Sequence, residues 1–204
     1  MISLYPFIIS FILIFISELG DKTQFLVLSF SPKNKSKNIL LGVALGTLFS
    51  HGLAIIFGTR LGIIENKIFI YYLKALTYGT FLLLGIVGFF KQKKSTYIDK
   101  SAKNNSTFIN FINTFTKNCV IIVAVAIAIG EIGDKTFLSS IGLGVQYPLF
   151  KIPLILGSVC GMVASNSIAI FFGKYLSSKV ADSAIENLSN LIFILFGLIG
   201  FFTL

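Results

Sequence analysis

The chain has 204 residues, 55% of them hydrophobic and only 12% charged, with a mean hydropathy of +0.89. A water-soluble domain carries a charged shell of about a quarter of its residues, so a soluble enzyme or binding module is excluded. The net charge of +9 lies mostly between long apolar runs with no basic patch interleaved with stacking aromatics, which excludes nucleic acid as a partner and suits loops facing anionic lipid.

A helix crossing the hydrocarbon core of about 30 Å needs about 20 mostly apolar residues. Runs of this kind recur along the chain, and the expected fold class is an all-α polytopic membrane protein with six transmembrane helices. The first span is expected over 4–30, ending before Ser31, Pro32 and the basic loop of Lys33, Lys35 and Lys37. It starts without a basic n-region and contains Glu18 and Asp21, so a mature helix is expected rather than a cleaved signal peptide. The second span is expected over 39–58 and the third over 70–90, with Lys74 near its start free to snorkel. A polar stretch rich in Lys, Asn, Ser and Thr, 91–117, reads as a hydrophilic loop. The remaining spans are expected over 118–141, 153–173 and 188–204. Cys119 and Cys160 lie in apolar segments without a CxxC pattern and are expected to be buried structural thiols.

Six spans place Lys33, Lys35, Lys37, Lys91, Lys93, Lys94, Lys100, Lys103, Lys117, Lys174 and Lys179 on one side. The other side holds Arg60, Lys67, Lys151 and Lys74. That asymmetry predicts a cytoplasmic or stromal central loop, with both termini outside.

The two halves repeat. Glu18-Leu19-Gly20-Asp21-Lys22-Thr23 matches Glu131-Ile132-Gly133-Asp134-Lys135-Thr136 at an offset of 113. Gly46, Ser50, Ala54 and Gly58 match Gly161, Ser165, Ala169 and Gly173 at 115, and Gly85–Phe90 matches Gly197–Phe202 at 112. The repeats are therefore expected over 1–90 and 118–204, joined by the 91–117 loop. An odd number of spans in each half makes the second enter from the opposite face, giving two inverted three-helix repeats, an arrangement common in secondary transporters.

Each motif puts a Glu and an Asp three residues apart, on one face if the helix is continuous. Ionisable groups at this depth are costly and normally face a substrate or proton path. Gly20 and Gly133, between the acids, permit either close helix approach or local unwinding that exposes carbonyl oxygens. Glu18, Asp21, Glu131 and Asp134, assisted by the neutral oxygens of Thr23, Gln24 and Thr136, make a hard-oxygen site suited to Ca²⁺, Mn²⁺ or Mg²⁺. With Lys22 and Lys135 charged for balance, the motif charge is about −2, which one divalent cation or two protons would neutralise. The competing reading pairs each Glu with the Lys four residues on, as a structural ion pair. Burying two such pairs at related positions for stability alone is poorly rewarded. His51, the only histidine, and its counterpart Asn166 suit a packing role, a proton relay or a site lining equally well.

The paired motif in the first and fourth of six helices, with a hydrophilic central loop, resembles the GDT family of Ca²⁺/Mn²⁺ cation:proton exchangers in Golgi, chloroplast and bacterial membranes. The resemblance implies exchange of Mn²⁺ or Ca²⁺ for protons, with Glu18, Asp21, Glu131 and Asp134 as cation ligands. It departs at Phe137, where the family motif continues with Gln, as Gln24 does in the first copy. The resemblance implies no cofactor beyond the transported ion, no enzymatic activity, and cations, protons and lipid as partners, with room for a homo-oligomer. A bacterial plasma membrane or a thylakoid/plastid membrane is the expected location. The rival readings are a six-helix exporter of amino acids or other small solutes, and a membrane assembly factor with an indirect effect on metals. One histidine cannot supply an HExxH metalloenzyme site, and no convincing nucleophile accompanies His51 for a hydrolase.

Overall fold

The computed structural model describes residues 4–19, 21, 23, 24, 27, 30, 34–91, 118–179 and 182–202. The 91–117 loop beyond Lys91, together with Gly20, Lys22 and Lys33, lies outside the described residues. The fold is helical: α1 (Leu4–Glu18), α2 (Ser36–Gly62), α3 (Lys67–Lys91), α4 (Cys119–Glu131), α5 (Lys135–Gln146), a 3-10 turn (Pro148–Phe150), α6 (Lys151–Lys179) and α7 (Asp182–Phe202). Among the described residues, Ser36–Gly62, Lys67–Phe90 and Pro148–Phe171 are long and apolar enough to cross a membrane.

The pattern of α2 is inverted relative to a surface helix in water. Thr47, Ser50, His51 and Thr59 are buried among glycines, while Leu41, Phe49, Leu53 and Phe57 are each at least half exposed. Water would favour the opposite arrangement. Lipid favours this one, because large apolar side chains face the hydrocarbon and small or polar residues mediate helix contacts.

Two expectations about the spans are corrected. The first is not one helix over 4–30, since α1 stops at Glu18; the fourth breaks after Glu131 and resumes at Lys135. The cause is visible in the second copy. Ile132 (φ −62°, ψ 120°) and Gly133 (φ +83°) follow the pattern of a type II turn, closed by the Asp134 N–H donating to the Glu131 carbonyl at 3.1 Å. Such a turn needs a left-handed residue at its third position, which favours glycine. A Cβ on Gly133 would meet nothing within 4 Å, so backbone conformation rather than close packing explains this glycine. The stretches left between the expected spans, 142–152 and 174–187, are also mostly helical, because polar helix ends at an interface do not themselves end a helix.

Packing exchanges the halves. α1 lies against α6, α2 against α4 and α5, and α3 against α7. Glycines let the backbones touch at matched places. A Cβ on Gly46 would stand 2.5 Å from the Ala124 carbonyl oxygen, and one on Gly161 would stand 2.7 Å from that of Phe11. These pairs are related by the motif offsets, 46 to 161 and 11 to 124. The core around them includes Leu13, Ile14, Val43, Val123, Ile127 and Met162. The cysteines are free, but Cys160 is exposed and Cys119 only partly buried, so they are not buried core thiols. Hydrocarbon outside the bundle tolerates a small apolar thiol as well as the interior does.

Candidate metal centre

α1 and α4 each end on a completely buried glutamate, Glu18 and Glu131. Helix C-termini carry unsatisfied carbonyls and a partial negative charge, which attract cations. After the break, Asp134 stands at the N-cap of α5 in extended conformation. The two acids of a motif thus flank an unwound turn, not one face of a continuous helix. Glu131 and Lys135 consequently belong to different helices, and the four-residue ion-pair geometry of a single helix does not apply.

The breaks bring acids from both halves together. Carboxylate oxygens of Glu18, Asp21 and Asp134 all lie within 4.8 Å of one another. Oxygens bound to one Ca²⁺-sized ion at 2.3–2.6 Å stand at most about 5 Å apart, so the cluster has the dimensions of a single oxygen-ligated site. Glu131 is not part of that group, although it, Asp21, Asp134 and Lys135 all act electrostatically on Glu18.

The threonines orient the glutamates in the same way in both copies. Thr23 donates its hydroxyl to Glu18 Oε2 at 3.0 Å, and Thr136 donates to Glu131 Oε2 at 2.9 Å. The other oxygen of each glutamate, Oε1, is buried without a hydrogen-bond partner among the described residues. A buried carboxylate oxygen left in this way is costly unless something binds it, and a cation or proton would serve.

Gln24 uses its amide to clasp α6, donating to the Ser165 carbonyl at 3.1 Å and to Ser165 Oγ at 2.6 Å. His51 lies on the Glu131 side. Its Nδ1 is hydrogen-bonded with Ser140 Oγ at 2.8 Å, and its Nε2 stands 3.7 Å from Glu131 Oε2. Asn166 occupies the matched place on α6 and donates to the Met162 carbonyl at 3.0 Å. Lys22 lies outside the described residues. Sequence reasoning missed Ser140, which has no repeat partner to mark it because Val27 stands at the matching position. It noted Ser165 only as a repeat marker.

Comparison with known proteins agrees with this chemistry. The model of the family "Divalent cation/proton antiporter GDT1" matches residues 6–96 and 119–203. The rice (Oryza sativa subsp. indica) GDT1-like protein 1, chloroplastic, is 26% identical over 207 residues, covering 92% of this chain and 59% of that protein. The Vibrio cholerae protein named "Putative manganese exporter" is 27% identical over 192 residues, covering 93% of this chain and 87% of that protein. GDT1-like protein C186.05c of Schizosaccharomyces pombe is 38% identical over 87 residues, which are 42% of this chain and 31% of that protein. The chain thus spans less than two thirds of the rice and yeast relatives. No solved structure matches it.

Proposed function

The chain belongs to the GDT1 family of divalent cation/proton antiporters, and on that footing we propose that it exchanges Mn²⁺ or Ca²⁺ for protons across a membrane. The observation that carries this reading is the convergence of Glu18, Asp21 and Asp134, from both halves, at helix breaks. Glu131 adds a fourth acid within electrostatic reach. α1, of 15 residues, and α4, of 13, rise about 20 Å each. Each therefore ends inside a core of about 30 Å, and in the second copy α5 continues the crossing. This gives six spans as two inverted repeats, 1–90 and 118–204, joined by the 91–117 loop on the cytoplasmic or stromal side. The exchanged packing of the halves and the basic loops support that topology. A bacterial plasma membrane or a plastid membrane is the setting, in keeping with the bacterial and chloroplastic relatives.

Coupling follows from charge. Unpaired carboxylates cannot cross a low-dielectric midplane, so once the cation leaves, protons are the cheapest replacement. Cation-loaded and protonated states move between the two sides while the empty charged state is trapped, which makes an exchanger rather than a leak. Proton entry then drives cation export.

The test is a proteoliposome with an imposed pH gradient and a trapped pH dye. Mn²⁺ or Ca²⁺ movement with counterflow of protons is expected, abolished in Glu18→Gln and Asp134→Asn although both variants insert normally. Flux that ignores the gradient and moves no protons would replace the exchanger with a uniporter. Single-cysteine labelling in a background lacking Cys119 and Cys160 tests the topology. Asn105 and the C-terminus should label from opposite sides, and labelling from the same side ends the inverted-repeat reading.

A further inference from the structure

The carboxylate cluster leaves one adjoining group unused. His51 is fully buried, and its Nε2 has no hydrogen-bond partner among the described residues while standing 3.7 Å from Glu131 Oε2. Glu131 also keeps Oε1 unpartnered, with Oε2 held by Thr136. Thr47, one helical turn before His51 on α2, buries another hydroxyl oxygen without a hydrogen-bond partner among the described residues. Two donor atoms each about 2.1 Å from one small cation stand between about 3 Å apart at right angles and about 4.2 Å apart when opposite. The gap between His51 and Glu131 falls inside that range.

We propose that His51 Nε2 and Glu131 form a second cation station beside the three-carboxylate cluster, and that this nitrogen makes the protein prefer a first-row transition cation such as Mn²⁺ over Ca²⁺. The inference rests on the cation-exchange reading above. Ca²⁺ takes oxygen ligands almost exclusively, whereas imidazole suits transition metals. A single nitrogen among carboxylates therefore discriminates between two ions that an all-oxygen site separates only by size. Ser140 supplies the support such a ligand requires. In the tautomer whose Nδ1–H donates to the Ser140 oxygen, the Nε2 lone pair is left on the Glu131 side, as in metal sites where the second ring nitrogen is held by a hydrogen bond. The other half lacks this nitrogen, because Asn166 stands at the matched position and Ser165 is engaged by Gln24. The station is thus on one side of the pseudo-symmetric site only.

Because His51 is the only histidine, a spectroscopic test is unambiguous in protein purified without a polyhistidine tag. Pulsed EPR of Mn²⁺-loaded protein is expected to show modulation from a directly bound imidazole nitrogen, lost in both His51→Asn and His51→Gln. In proteoliposomes the Mn²⁺-over-Ca²⁺ preference is expected to fall about tenfold or more in both variants. Absence of nitrogen modulation in the wild-type protein, or its persistence in His51→Asn, overturns the proposal. So does an equal loss of Mn²⁺ and Ca²⁺ transport, which marks His51 as a packing residue. Wild-type protein that carries neither ion strikes instead at the exchange reading, and the EPR experiment still decides whether His51 binds Mn²⁺.

Discussion

The two copies of the acidic motif share their inner geometry and differ in how each is tied to the neighbouring helix. In both, a helix ends on a buried glutamate, the aspartate N–H three residues on returns to its carbonyl, and the threonine five residues on donates to its carboxylate. In the first copy the motif reaches outward, with Gln24 clasping Ser165 of α6. In the second the neighbouring helix reaches inward, with His51 of α2 meeting Ser140 and Glu131. The parts that set charge and backbone shape are duplicated. The polar seams between helices have diverged, and the scaffold is the same in spite of it.

The largest effects are expected where the scaffold is duplicated most tightly. Gly46→Val and Gly161→Val each force a side chain against a facing carbonyl oxygen, that of Ala124 or Phe11. Overpacking that the backbone cannot relieve costs about 1–3 kcal/mol, occasionally more, a large share of a typical stability of about 5–15 kcal/mol. Both variants should lose monodispersity in detergent and melt far below the wild type. Wild-type melting of either one would show that the two helix crossings are not equivalent.

Intermediate effects are expected at the threonines. Thr23→Val and Thr136→Val keep shape and remove a hydrogen bond to a buried carboxylate, a loss of about 1.5–3 kcal/mol. If that loss falls on the transport step, initial rates should drop by about 10- to 150-fold, and by similar factors in both variants. A variant that transports normally while its partner fails would mean that only one glutamate needs orienting, breaking the symmetry at its centre.

Much of this was legible in the residues themselves. The cost of burying Glu18 and Glu131 in hydrocarbon marks them without any coordinates, and constant offsets reveal the repeat. Gly133 was ambiguous between close approach and unwinding, and only its positive φ with an empty Cβ position separates the two. The partners of Gln24 and His51 were not legible, because they depend on how α6 and α2 are rotated about their axes, and hydropathy in a membrane barely constrains rotation. Cys160 was misread for the same reason: lipid and protein interior are both apolar, so an apolar context does not say which one a thiol faces.

The smallest effect is expected at Phe137, where the second copy lacks the glutamine of the first. In the first copy Gln24 is held against Ser165 in a buried contact. At the matched place in the second copy, Ser50 turns its hydroxyl back to the Gly46 carbonyl of its own helix at 3.1 Å, so no donor or acceptor was stranded when the glutamine was absent. Phe137 itself is half-buried. Phe137→Gln would thus exchange part of an aromatic's apolar burial for one new bond to Ser50 worth about 1 kcal/mol. These contributions oppose each other, and the net change in stability should stay within about 1 kcal/mol. Cation selectivity should not move, because the glutamine amide in the first copy faces the neighbouring helix. Melting temperature and the Mn²⁺-to-Ca²⁺ transport ratio measure both consequences. An unchanged ratio is the outcome expected if residue 137 bears on the helix seam alone. A ratio that shifts strongly in Phe137→Gln would place residue 137 at the cation, and the seam occupied by Gln24 would then belong to the site as well.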